Sequence, residues 1–189
     1  MVAQDLEDDG QVDSLATRLL DEPRLDSFVD GVRVVDLYVV NGKAVGDEKY
    51  AYKLRWLEAL HGWLGGEIAR HPRLAVLGDF NIAPDDRDVH DPAVWNDASI
   101  LTSTAERHAL RRLLALGLHD SYRLHHDEGG VFSWWDYRAA GFRRNLGLRI
   151  DLCLVSDALR EHCTAAGIDR EPRTWERPSD HTPAMVTLG

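Results

Sequence analysis

The sequence predicts an α/β fold with mixed sheets, on three observations. Strand-like and helix-like stretches alternate along most of the chain, which calls for layers of both kinds. An Asp30-Gly31 pair between two strand-like runs supplies the positive φ of a tight hairpin turn, so the strands cannot all be parallel. The run Leu74-Ala75-Val76-Leu77 is continuously apolar, the pattern of a strand buried on both faces. At 189 residues the chain fits one domain with a sizeable core. No stretch of about 18 apolar residues occurs, so no membrane span is expected. Met1–Gly10 has neither the basic region nor the apolar core of a signal peptide. Cys153 and Cys163 do not form a Cys-x-x-Cys pair. A reduced, cytoplasmic setting is the expectation.

The elements follow in order. Residues 1–24 are acidic and weakly periodic, with one short helix over Ser14–Leu20. Leu25–Val29 and Val32–Val40 make the hairpin, and Asn41-Gly42 ends its second strand. Tyr52, Trp56, Leu57, Leu60, Trp63 and Leu64 recur at helical spacing, predicting an amphipathic helix over 48–64 that Gly65-Gly66 stops. The strand over 73–79 follows, then a long polar loop over 83–99 of the kind that carries function. Ser103-Thr104-Ala105-Glu106 has the form of a capping box and opens a helix through Leu116 to Gly117. Val131–Trp135 and Leu148–Val155 read as strands, 157–163 as a short helix, and 163–169 and Thr182–Leu188 as strands.

Polar residues collect at the strand ends. Asp79 and Asn81 are two apart, so an extended backbone puts both on one face. There they can handle a water, a metal or a phosphate, or simply form an Asx turn. Asp151 is a carboxylate inside the apolar run Ile150–Leu154, costly unless paired. His181, after Asp180 at a strand start, is the best partner, because a buried Asp can fix an imidazole tautomer. Capping a turn or pairing with Arg149 are the alternatives. The net charge of −10 argues against a polyanionic partner, but nine acids and two arginines among the first 30 residues account for most of it. Between Tyr137 and Ile150 lie Arg138, Arg143, Arg144 and Arg149 with no acid, either a nucleic-acid surface or a solvated basic loop.

Five motifs carry a resemblance: Tyr38-Val39-Val40-Asn41-Gly42, Gly78-Asp79-Phe80-Asn81, Phe132-Ser133-Trp134-Trp135-Asp136-Tyr137-Arg138, Gly147-Leu148-Arg149-Ile150-Asp151 and Ser179-Asp180-His181. In this order they resemble the exonuclease III family, bacterial relatives of the apurinic/apyrimidinic endonucleases within the endonuclease/exonuclease/phosphatase superfamily. The resemblance runs from about Val32 to Leu188. It implies a DNase I-like four-layer α-β-β-α sandwich and Mg²⁺-dependent hydrolysis of DNA phosphodiesters, with Mn²⁺ as an alternative ion. The implied substrate is double-stranded DNA with abasic or 3′-blocked sites, the setting base excision repair. Asp79 would position or deprotonate the attacking water, or protonate the leaving 3′ oxygen. Asn81 would hold the phosphate or the water. Asp151 would orient His181, and His181 would stabilise charge on a phosphate oxygen. Asp180 would be the main metal ligand, helped by Asp79 and Asn81. Tyr38 and Asn41 would contact the phosphate. Trp134, with Phe132 and Leu148, would line the pocket for a flipped-out abasic sugar, with Arg138 on the substrate side. Of Trp134 and Trp135, at least one is expected in the core.

The chain also departs from the family. Val40 stands where Pro is more usual. The family's opening strands, carrying an Asn and a Gln-Glu pair whose Glu is the principal metal ligand, have no counterpart before Val32, where Glu7 and Glu22 are the only glutamates. The expectation is therefore an N-terminally incomplete domain: an acidic segment and first hairpin strand over 1–31, and the domain's C-terminal part over 32–189. Such a chain should be weakly active and associate through uncovered sheet edges, with the final strand as an edge. The alternatives are a non-catalytic remnant that binds DNA or a partner, or a phosphatase on another phosphoester; the tryptophan-rich motif favours DNA repair.

Overall fold

The computed structural model describes residues 25–189. The helix expected over Ser14–Leu20 lies outside them. Strands β1 (Leu25–Val29) and β2 (Val32–Tyr38) form the expected hairpin, with Asp30 at φ 50° and Gly31 at φ 76°. Helix α1 (Glu48–Arg70) leads to β3 (Leu74–Asp79), and α2 (Thr104–Leu114) to β4 (Leu118–Asp120) and the short α3 (Ser121–His125). A two-residue pair, β5 (Trp134–Trp135) and β6 (Gly147–Leu148), precedes β7 (Asp151–Ser156), α4 (Asp157–Arg160), β8 (Cys163–Ile168) and β9 (Ala184–Leu188). The central sheet runs β1-β2-β3-β7-β4, parallel only between β2 and β3. The mixed sheet expected from the hairpin is present.

The strands divide their side chains as period 2 requires. Val35, Leu37, Leu74, Val76, Leu152 and Leu154 pack with Trp56, Leu57, Leu60, Leu64, Leu110 and Leu113 of α1 and α2. Val32, Ala75 and Val155 face the other way, where Leu159, Cys163, Val186 and Leu188 cover them. The β8–β9 hairpin thus closes the second face, and the run at 74–77 is buried on both sides. At the end of β3 the chain passes very close to β2. Gly78 has φ 132°, and a Cβ there would collide with the Leu37 carbonyl oxygen.

Several boundaries differ from expectation for identifiable reasons. Gly65 and Gly66 do not stop α1, which continues to Arg70. Each glycine costs about 1 kcal/mol in a helix, but the last turn is held from outside: buried Glu67 accepts from Arg33 Nε at 3.1 Å and pairs with Arg70. The helix ends at His71, ahead of Pro72, whose ring disfavours helical geometry at the preceding residue. The capping box at Ser103/Glu106 is present and α2 ends within two residues of the expected place. The strand expected over Leu148–Val155 is broken at Arg149-Ile150, where the chain leaves the β5–β6 pair for the central sheet. The strand expected over Val131–Trp135 shortens to its last two residues. Pro183 has no N–H for a ladder, and β9 begins only at Ala184. Among the described residues β9 pairs with β8 alone and β1 with β2 alone, so each leaves an open edge.

Arg149 corrects the reading of the basic stretch. It is fully buried, not part of a surface. Its Nε donates to Asp88 at 2.6 Å and its terminal nitrogens to Asp120 at 3.1 and 2.6 Å. Burial opposes its charge, but the two carboxylates outweigh it and raise its pKa. The pairing considered with Asp151 is therefore replaced by Asp88 and Asp120. Arg143 and Arg144 are exposed.

Candidate active site

The β2–β3–β7 strand ends carry the site. Asp79 ends β3 directly opposite Asp151 at the start of β7. Two residues on, Asn81 adopts φ 48°, a left-handed geometry that Asn tolerates better than most. Its backbone N–H donates to Asp79 Oδ1 and its Nδ2 to Asp79 Oδ2, both at 2.8 Å. Asn41 Nδ2 donates to Asn81 Oδ1 at 3.1 Å, linking the two amides.

His181 reaches the same place from the loop before β9. Its Nδ1 donates to the Asp151 carboxylate at 3.1 and 3.0 Å, and its Nε2 lies 4.0 Å from Asp79 Oδ2. Ligand-capable atoms of Asp79, Asp151 and His181 all fall within 4.8 Å of one another, an acidic-residue cluster able to hold a metal ion. Asp180 is outside that cluster. It lines the same cavity, and its Oδ2 accepts from Trp134 Nε1 at 3.0 Å.

The electrostatics are unequal. Burial, then the charge of Asp151, push the Asp79 carboxyl up to about 6, against the pull of the Asn81 N–H, His181 and Lys53. Burial alone would lower the His181 imidazole; its hydrogen bond to Asp151 and the charges of Asp151, Asp79 and Asp180 raise it instead. The site thus holds a carboxyl that titrates near neutrality beside an imidazole biased toward its charged form.

These groups line a cavity of about 640 Å³ with Tyr38, Asn41, Trp134, Arg138 and Ile150. Phe132 and Leu148 do not line it; both are buried, Leu148 among Val89, Leu101 and Ile150. Trp135 is wholly buried and Trp134 faces the cavity, so the tryptophans divide as expected. Arg138 is at the wall, paired with Asp136 at 2.6 Å.

Three features escaped the sequence reading. His90 and Trp95 of the long loop, and Ile100 just after it, line the cavity; nothing in their spacing points there. Lys53 is fully buried, and its Nζ donates to Glu106 at 2.5 Å and to the Asn81 carbonyl at 2.7 Å. Its place on the apolar stripe with Trp56, Leu57 and Leu60 is a usable signal for a buried, paired lysine. Ser133 is fully buried between the two halves of the site, marked only by being polar within an aromatic run.

The mixed α/β fold thus places a strand-end carboxylate beside an Asp–His pair in one cavity. The chain belongs to the Endonuclease/Exonuclease/phosphatase family, whose model matches residues 9–181. Within that family it is exodeoxyribonuclease III-like. It is 36% identical over 157 residues to exodeoxyribonuclease III of Haemophilus influenzae, covering 79% of this chain and 59% of the relative. It is 35% identical over 161 residues to an exodeoxyribonuclease of Bacillus subtilis, covering 84% and 61%. The chain therefore spans about three fifths of the length of these curated relatives. Its fold matches that of a Neisseria 3′ phosphatase bound to a product DNA hairpin, with TM-score 0.87 and 44% identity over 91% of this chain and 68% of that one. It also matches an AP endonuclease from Archaeoglobus fulgidus, with TM-score 0.82 and 33% identity over 87% and 64%. No helix among the described residues is long and apolar enough to cross a membrane.

Proposed function

We propose that this chain hydrolyses phosphodiesters of double-stranded DNA at abasic sites and 3′-blocked ends, as a Mg²⁺-dependent enzyme that also accepts Mn²⁺. The observation that carries the reading is the meeting of Asp79 and the Asp151–His181 pair in one cavity. Burial and Asp151 hold the Asp79 carboxyl up at about 6 in the metal-free chain, and in the cavity it would position the attacking water or pass a proton to the leaving 3′ oxygen. Asp151 holds the His181 ring, leaving Nε2 to donate to a phosphate oxygen as its charge builds. Asn81 and Asn41, already linked, present amide groups to the phosphate, with Tyr38 beside them. Trp134 and Ile150 supply an apolar wall suited to a flipped-out sugar.

The donor set suits a hard cation, since carboxylate and amide oxygens dominate it. Asp79 and Asn81 would hold Mg²⁺, with Asp180 from the same cavity. When bound, the ion supplies positive charge to the phosphate and the leaving oxygen. Arg138 at the cavity wall, with exposed Arg143 and Arg144, would contact the DNA backbone. The 3′ phosphatase among the structural matches supports adding the phosphomonoester of 3′-phosphate ends to the phosphodiester substrates.

The test is cleavage of end-labelled duplexes bearing either an abasic analogue or a 3′-phosphate, across a Mg²⁺ titration, with His181→Ala alongside. Mg²⁺-dependent products that the variant fails to make are expected. Binding of both duplexes without any product would replace the enzyme with a DNA-binding remnant.

A further inference from the structure

We infer that Ser133 is a positioning residue for the Asp151–His181 pair, holding both partners from one point. The inference rests on the nuclease reading for its role in turnover, and on geometry alone for its role in the pair. Between Leu148 and Asp151 the chain crosses from the β5–β6 pair to the central sheet. The N–H groups of Ile150 and Asp151 at that crossing both donate to the Ser133 hydroxyl oxygen, each at 3.0 Å. One oxygen thus sets the backbone that carries the Asp151 carboxylate.

The same residue reaches the other partner through its main chain. The Ser133 carbonyl accepts from Thr182 N at 2.8 Å, immediately after His181. Its own N–H donates to the Leu148 carbonyl at 2.9 Å, and the flanking Trp135 N–H donates to the Asp180 carbonyl at 3.0 Å. Trp134 and His181 form a further bridge between the segments. Ser133 is wholly buried, so no bulk water replaces its oxygen. Alanine would leave two consecutive amides without their acceptor, and such groups move to find another. The carbonyl bonds would survive, so His181 would stay while Asp151 shifted against it. Displacement of a catalytic group by about 1 Å can cost about 100-fold in rate.

The experiment uses the full 189-residue chain as wild type, Ser133→Ala and Ser133→Thr, with Leu113→Ala as a destabilised control in the α1–α2 core. The first readout needs no activity: the proton resonance of the His181 Nδ1–H that bonds Asp151, assigned by its absence in His181→Ala. It should be present in wild type, Ser133→Thr and Leu113→Ala, and lost or displaced in Ser133→Ala, whose amide spectrum remains that of a folded chain. If Ser133→Thr does not fold, the contrast of Ser133→Ala with wild type and Leu113→Ala decides. The second readout is abasic-duplex cleavage, where Ser133→Ala should lower kcat ten- to a hundredfold with KM within twofold. An unchanged Nδ1–H resonance in Ser133→Ala, or none in wild type, overturns the inference. A wild-type chain that cleaves nothing while Ser133→Ala still loses the resonance would refute the nuclease reading and leave the positioning role standing.

Discussion

Replacing Asp79 with Asn should abolish a pH-dependent loss of stability, because the folded protein holds this carboxyl at about 6 against an ordinary value of 3.8. A carboxyl whose folded pKa is raised binds its proton more tightly in the native state. Its contribution to stability is full below the unfolded pKa and is lost as pH rises through the folded one. The gap of about two units corresponds to about 3 kcal/mol at 1.36 kcal/mol per unit. The side chain is only 15% exposed, so screening trims this rather than removing it. The assay is urea unfolding from about pH 4 to pH 8 in the absence of divalent ions, for wild type and Asp79→Asn. Subtraction cancels the carboxylates outside the site and any constant cost of altering the two Asn81 hydrogen bonds, leaving Asp79 with its coupling to Asp151 and His181. The wild-type advantage over the variant should shrink by about 2–3 kcal/mol, with most of the change between pH 4 and pH 6. A difference that stays flat, or grows with pH, would refute the claim that burial and Asp151 destabilise the ionised form. Added Mg²⁺ should stabilise wild type more than the variant, since a cation at this carboxylate opposes protonation.

Three further outcomes are expected. Asp151→Asn should cut abasic-site cleavage by about 100-fold or more through kcat, the scale on which a single transition-state donor acts. It should also remove the stability that protonated His181 provides below its ordinary 6.5 and that wild type loses as pH rises through the raised value, seen as a flatter unfolding profile above pH 6. Arg149→Met should cost about 3 kcal/mol in urea unfolding by stranding Asp120 and leaving Asp88 to Arg123 alone, and a double variant that also neutralises Asp120 should recover much of it. Charge reversal at exposed Arg143 and Arg144 should weaken duplex binding and flatten its dependence on log salt by about 0.9 for each phosphate the rim no longer neutralises; an unchanged slope would exclude this rim as the DNA surface.

Local signals along the chain make much of this protein legible. A tight turn needs positive φ, so Asp30-Gly31 announces its hairpin. Burial on both faces needs an unbroken apolar run, so Leu74–Leu77 announces a central strand with Asp79 and Asn81 at its end. Ser103 and Glu106 sit at the spacing that satisfies a helix N-terminus. The Asp151–His181 pair is readable because an ionised carboxylate in an apolar strand requires a partner. What tertiary structure alone decides depends on neighbours distant in sequence. Arg149 looks like part of a basic loop, yet its partners Asp88 and Asp120 lie 61 and 29 residues away and carry it into the interior. Gly65 and Gly66 read as a helix stop, but Arg33, 34 residues from Glu67, holds the last turn in place. Asp180 precedes His181 in sequence, but only the fold brings Trp134 to one of its oxygens and gathers Asp79, Asp151 and His181 beside it in one cavity. Phe132 and Leu148 carry the right chemistry for a pocket wall, and only the fold decides that both are buried away from the cavity lining. Spacing along the chain encodes φ, period and capping, whereas the partner of a buried charge is set by which strands the fold brings side by side.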